Sequence, residues 1–315
     1  MGRVRKFIDE IDQCFAVYSE KKAGKGEDSF LYSLREDRGI VMVFDGCGGS
    51  GAKLYPPLGN RTGAYLASRV LTESAYQWFD NMAEGQGTPG AYHQNLKMRL
   101  DKSLAEIQEQ GKTSSLLLGS MSKEFPSTLA GAMVEKKEGQ MVASFLWSGD
   151  SRGYLLDRDG LHQVTVDDVP NPDAMVNLRE DGAMTNVVSA SRPYDIHEAL
   201  FRLPSQGIVL AATDGCFGYL RTPMEFEKLL LGTLMKSGSI EQWRMEIDGA
   251  LKNIAGDDYT MCVMIYGYGS FVRLKKSYAA RCRFMEKAYV LNDSITEEAL
   301  FEQWEQYKKT YEAYR

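Results

Sequence analysis

Five short segments carrying acidic residues follow one another along the chain: Glu27-Asp28, Asp45-Gly46, Gly149-Asp150-Ser151-Arg152, Asp214-Gly215 and Asp257-Asp258. Two of them close apolar runs, Val41-Met42-Val43-Phe44 and Val209-Leu210-Ala211-Ala212-Thr213. A run of that kind reads as a buried strand, so each delivers a carboxylate where the strand ends. A carboxylate in that position is costly to bury without a cation partner. The glycine after Asp45 and after Asp214 lets backbone or ligand approach closely. Carboxylates, carbonyls and water are the ligands of hard divalent cations such as Mg²⁺ and Mn²⁺.

The remaining pattern supplies the scaffold. Residues 14–19, 29–34 and 40–44 read as three short strands in a meander, the last two joined by the charged turn Arg35-Glu36-Asp37-Arg38-Gly39. Helical spacing runs over 61–79, with apolar residues including Tyr65, Leu66, Val70, Tyr76 and Phe79, and again over 91–110, with Gly111 as a stop. Strands are expected at 128–134, 141–147, 154–157, 208–213 and 259–266, helices at 224–235 and 240–254, and a loop over 166–192, which holds Pro170 and Pro172 and is followed by Pro193. Strand blocks interleaved with helix pairs fit an α+β class of two mainly antiparallel sheets packed face to face with helices outside. Beyond Gly269 the pattern is helix alone, which divides the chain into 1–269 and a helical extension, 270–315. The extension opens with a basic helix containing Arg273, Lys275, Lys276, Arg281, Arg283 and Lys287. A second helix is expected from Ser294, with Glu297 completing a capping box. Its seam of Leu300, Trp304, Tyr307, Tyr311 and Tyr314 must be covered, either by the sandwich or by a second copy in a homodimer.

Several function classes are disfavoured. A net charge of −6 argues against nucleic acid as the main partner. No run of eighteen apolar residues is present, so no membrane-spanning helix is expected. The basic start, Met1 to Lys6, leads into Phe7-Ile8-Asp9-Glu10 and not into an apolar secretory core, and Lys6 stands where myristoylation would want Ser or Thr. Five cysteines without C-x-x-C spacing suit a reducing, cytoplasmic setting, and three histidines without ligand spacing make a zinc site a poor fit. The glycine-rich stretch from Gly46 to Lys53 lacks the Ser or Thr of a P-loop, and Cys216 with Arg221 is one residue short of a cysteine-phosphatase signature.

The five segments together resemble the metal-dependent Ser/Thr protein phosphatases of type 2C, the PPM family. That family carries an early E-D, then V-x-D-G-H-G-G, G-D-S-R, T-D-G and D-N-x-T. Here they read Glu27-Asp28, Val43-Phe44-Asp45-Gly46-Cys47-Gly48-Gly49, Gly149-Asp150-Ser151-Arg152, Thr213-Asp214-Gly215 and Asp257-Asp258-Tyr259-Thr260, spanning residues 13–267 or so. The resemblance implies a four-layer α-β-β-α sandwich and hydrolysis of phosphoserine and phosphothreonine in proteins at two Mn²⁺ or Mg²⁺ ions, with a weaker third. It makes Asp45 the bridging carboxylate, gives Glu27 and the Gly46 carbonyl to one ion and Asp214 and Asp257 to the other, sets Asp28 behind a water, and assigns Asp150 to the third. A phosphoprotein substrate, and a cognate Ser/Thr kinase as counterpart, follow from the same likeness. Ser127-Thr128, at the family's hydroxyl pair, reads as structural, and Arg152 as a residue that orients a local carboxylate or carbonyl.

Three departures qualify the likeness. Cys47 replaces the usual histidine, the family's candidate general acid, and so becomes the candidate here. Ala23 stands where many eukaryotic members have a phosphate-holding arginine, leaving Lys21, Lys22 or Lys25 as substitutes, and Gly218 replaces a further aspartate. The loss of the histidine keeps a second reading open, a pseudophosphatase that binds phosphoproteins without turning them over.

Overall fold

The computed structural model describes residues 6–83, 87–112, 123–180, 182–290 and 295–315. In chain order the strands and helices are β1 (Ile11–Ser19), β2 (Asp28–Leu34), β3 (Arg38–Asp45), β4 (Leu54–Tyr55), β5 (Arg61–Thr62), α1 (Gly63–Asn81) and α2 (Tyr92–Gln110). They continue with β6 (Leu129–Lys137), β7 (Gln140–Ser148), β8 (Arg152–Asp157), β9 (Gly160–Gln163), β10 (His197–Arg202) and β11 (Gly207–Ala212). The chain closes with α3 (Pro223–Lys236), α4 (Ile240–Lys252), β12 (Tyr259–Tyr266), α5 (Phe271–Ala288) and α6 (Glu297–Tyr311).

Two antiparallel five-stranded sheets, ordered β1-β12-β11-β8-β9 and β10-β7-β6-β3-β2, face each other. Alternation along the apolar runs explains the layering. In β3, Val41 and Val43 point to the partner sheet, where they meet Val209, Ala211, Cys262 and Met264. Ile40, Met42 and Phe44 point outward, against Leu71, Phe79, Leu96 and Leu100 of α1 and α2. Likewise Ile208, Leu210 and Ala212 of β11 face the layer of α3, α4, α5 and α6. Each central strand is therefore covered on both sides, which is why it is apolar throughout. The result is the expected α-β-β-α sandwich.

Two local expectations are corrected, and the alternative left open for the α6 seam is decided. β1 pairs with β12 in the opposite sheet, so β2 and β3 form a hairpin without it and there is no three-stranded meander. Helix α6 starts at Glu297 with Thr296 as its cap, whose hydroxyl accepts from the Ala299 amide at 3.3 Å; Ser294, like residues 1–5, lies outside the described residues. The aromatic seam is consumed within the chain. Leu300, Trp304, Tyr307 and Tyr311 are buried in the core under β8, β9 and β11, and Tyr314 packs edge-on to His162 and Phe201. It offers no support for a homodimer through these helices.

A buried ion pair ties the helical layer together. Glu227 of α3, with no exposed surface, accepts from Arg281 Nε at 2.6 Å and Nη2 at 3.0 Å, from the Tyr307 hydroxyl at 2.6 Å and from the Leu161 amide at 3.2 Å. One carboxylate thus joins α3, α5, α6 and β9, and its lone pairs are satisfied as burial demands. The segment 166–192 forms no strand or α-helix among its described residues, only a 3-10 turn at Val176–Leu178.

Candidate metal centre

Antiparallel pairing brings the acidic segments to one end of the sandwich. Asp45 is the last residue of β3 and Asp28 the first of β2, and the two are directly opposed across the hairpin. Asp214 follows β11, Asp257 and Asp258 precede β12, and Asp150 lies between β7 and β8, with β11 paired to both β12 and β8. Glu27, Asp28, Asp45, Gly46, Cys47, Asp150, Asp214 and Asp257, the residues singled out in the sequence, all line one cleft of 780 Å³.

The glycines after the aspartates have a visible purpose. A Cβ on Gly215 would stand 1.8 Å from the Asp258 carbonyl oxygen, and one on Gly46 would stand 2.4 Å from that of Ala64. Only a residue without a side chain lets these strand exits approach their neighbours so closely. Hydroxyls fix the carboxylates from behind. Thr213 donates to Asp28 at 2.8 Å and accepts from the Thr260 amide at 2.9 Å, linking the two sheets beneath the cleft. The Thr62 hydroxyl, which caps α1, also donates to Glu27. Thr128 and Ser151 share a hydrogen bond of 2.6 Å, and the Thr128 amide donates to the Asp45 carbonyl at 2.8 Å. Asp258 receives the amides of Lys21 and Glu27, both at 2.7 Å, and so holds the β1–β2 connection over the site. Arg152 does not reach the cleft's carboxylates: it forms a fork with Asp167 (3.0 and 2.6 Å) and lies 4.3 Å over the Phe217 ring.

Electrostatics in the cleft are unbalanced. Burial, aided by the Asp214 and Asp258 charges and opposed by hydrogen bonds from Thr260 and Thr213, leaves Asp28 pushed up to about 7. Burial and the Asp214 and Asp167 charges push Asp150 up to about 7. Burial and the charges of Asp28, Asp214 and Asp150 raise Asp45 far above the ordinary carboxylate range. Asp214 opens on the cleft but is walled by protein on its other sides; it too is raised, and hydrogen-bonds to Asp45. Carboxylates buried and crowded in this way favour the protonated form. The acidic donors of the cleft are all oxygens, the sulfurs on the lining are the Cys47 thiol and the Met184 thioether, and none of the lining residues is a histidine. This donor set fits hard divalent cations. Among the described residues no three His, Cys, Asp or Glu side chains converge on a single point. The carboxylates ring the cleft, an arrangement suited to ions that keep several waters.

Two basic residues missed in the sequence, Lys123 and Arg192, line the cleft, whereas Lys21, Lys22 and Lys25 are exposed outside it. No local pattern marks either one; only the chain's return past Gly46–Ser50 and the loop 182–192 brings them there. The Cys47 thiol is raised well above its ordinary value by burial and the Asp45 and Asp150 charges. This favours the thiol over the thiolate, and a cation bound beside it would act in the opposite sense.

No protein-family model and no curated protein matches the chain. Solved structures do. The serine/threonine phosphatase Stp1 from Staphylococcus aureus superposes with a TM-score of 0.62 at 16% identity, over 81% of this chain and 94% of Stp1. PppA, a regulatory component of T6SS in Pseudomonas aeruginosa, gives 0.54 at 18% identity, over 82% and 100%. The catalytic domain of the phosphatase PstP, solved in complex with 2 manganese ions, gives 0.52 at 15% identity, over 80% and 97%. The fold of this chain is thus that of the type 2C serine/threonine phosphatases, as the five acidic segments led one to expect.

Proposed function

We propose that the chain is a Mn²⁺- or Mg²⁺-dependent hydrolase of phosphoserine and phosphothreonine in proteins, acting in the cytoplasm opposite a Ser/Thr kinase. One observation carries this reading: seven acidic residues from distant segments, Glu27, Asp28, Asp45, Asp150, Asp214, Asp257 and Asp258, line a single cleft together with Lys123 and Arg192. In this reading Asp45, with Glu27, the Gly46 carbonyl, Asp214 and Asp257, would hold the two ions, Asp28 would act through water, and Asp150 would serve a weaker third ion. When bound, the ions supply an ionised water and neutralise the phosphoryl oxygens. The chain's own residues do the rest. Thr213 and Thr62 hold Asp28 and Glu27 in place, and Lys123 and Arg192 at the cleft wall attract the dianionic phosphate. Cys47, at the place of the family's histidine, would be the candidate donor of a proton to the serine alkoxide.

The test is hydrolysis of p-nitrophenyl phosphate and of a phosphoserine peptide with Mn²⁺ and in excess EDTA, for the wild type, Asp45→Asn and Asp214→Asn. Turnover only in the metal-loaded wild type is expected. Full activity in EDTA, or in either variant, removes this reading. Cys47 in place of histidine favours one rival, a pseudophosphatase that binds phosphopeptides without turning them over, and peptide binding in the absence of hydrolysis would select it.

A further inference from the structure

The cleft extends into a second lobe of 440 Å³ that shares Asp150 and Asp214 with the first and is walled by Asn177, Leu178 and Arg179. Those three residues belong to a loop with little structure of its own, so something else must hold them. Asp173 does so from one side. Its Oδ1 accepts the amides of Met175 at 2.9 Å and Val176 at 3.1 Å, forming the 3-10 turn that presents Asn177 and Leu178. The same carboxylate is gripped by α6: Trp304 Nε1 donates to it at 3.1 Å and Lys308 Nζ at 2.6 Å. Burial opposes ionisation of Asp173, yet these side-chain hydrogen bonds keep it below the usual carboxylate range. Two more contacts run alongside. Arg179 pairs with Glu297 and lies 5.0 Å over the Phe301 ring, and Arg315 donates to the Pro172 carbonyl at 3.1 Å. On the inner side, Asn177 donates to Asp167 at 3.1 Å, the carboxylate that holds Arg152 beside Asp150.

We propose that Lys308 and Trp304 of α6 are positioning residues: through Asp173 they set the wall of the second lobe, the place for the peptide flanking the phosphorylated residue. The role in turnover rests on the phosphatase reading above; the bracing does not. A small ester such as p-nitrophenyl phosphate has no flanking peptide and makes no use of the wall. A phosphopeptide does, so loosening the wall weakens its binding while leaving the reacting centre intact.

The experiment uses the full chain with Lys308→Met, which keeps the length of this partly exposed side chain and removes its charge, and Lys308→Arg as the rescue. Amide hydrogen exchange over residues 173–180 is expected to rise in Lys308→Met and return towards the wild-type rate in Lys308→Arg. With Mn²⁺, KM for a phosphoserine peptide is expected to rise on the order of fivefold in Lys308→Met, with kcat and the p-nitrophenyl phosphate constants kept. Unchanged exchange overturns the brace. Raised exchange with an unchanged KM, or an equal loss on both substrates, overturns the positioning role. A wild type that turns over neither substrate sinks the phosphatase reading instead, and the brace is then decided by exchange alone.

Discussion

Removing metal at alkaline pH should cost this protein much of its stability, and the carboxylate cluster sets the amount. Asp28, 2% exposed, is pushed up to about 7 from an ordinary value of 3.8. Because its folded value lies above its unfolded one, its stabilising contribution is whole below pH 4 or so and is lost as the pH rises through about 7. Holding it ionised in the folded chain at pH 8 costs on the order of 4 kcal/mol. Asp45, Asp150 and Asp214 raise one another and Asp28, so one penalty is counted for the cluster. For a chain of this size that penalty lowers Tm by on the order of 10 °C. Calorimetry in EDTA should therefore show the wild type losing stability from pH 5 to pH 8, and Asp28→Asn, which keeps an acceptor for Thr213, losing much less. The comparison with the variant cancels the titration of the rest of the chain. Mn²⁺ at about a hundred times its Kd should return roughly 2.7 kcal/mol at pH 8 in the wild type. Identical pH slopes for wild type and Asp28→Asn, or no Mn²⁺ effect on the wild-type Tm, would refute the reasoning.

Three further outcomes are expected. Arg281→Met strands the buried Glu227 carboxylate on the Tyr307 hydroxyl and the Leu161 amide and should cost roughly 3–5 kcal/mol in urea unfolding; adding Glu227→Gln should recover a good part. No recovery in the double variant would mean that packing, not charge, accounts for the loss. Deleting residues 270–315 uncovers the core contacts of Tyr278, Trp304, Tyr307 and Tyr311, so the product should aggregate in light scattering, and a monodisperse product with wild-type Tm would speak against it. If the Cys47 thiol is only a small filler, Cys47→Ser should leave phosphopeptide turnover within a few-fold, while Cys47→His should raise phosphoserine turnover relative to p-nitrophenyl phosphate, whose leaving group needs no proton. An unchanged ratio of the two substrates would show that this position gives no proton.

By itself the sequence determined which residues end the central strands and that those ends are acidic. An apolar run covered on both faces cannot hide a carboxylate at its exit, so Asp45 and Asp214 announce a shared site before any contact is known. The glycines beside them were legible for the same local reason, since a close approach excludes a side chain. Pairing was not legible. β1 looks like a neighbour of β2 in the chain, yet it pairs with β12, some 240 residues away, because periodicity says which face is buried and not against what. The edge strands β9 and β10, with sequences GLHQ and HEALFR, carry too little alternation to be seen. The seam of α6 announced burial but not its partner. Tertiary packing decided that this partner is the chain's own sandwich and the loop beside the cleft, through Asp173 and Glu227. It likewise brought Lys123 and Arg192 to the cleft wall. Contacts of that kind join residues that no local pattern relates, and only the closed fold fixes them.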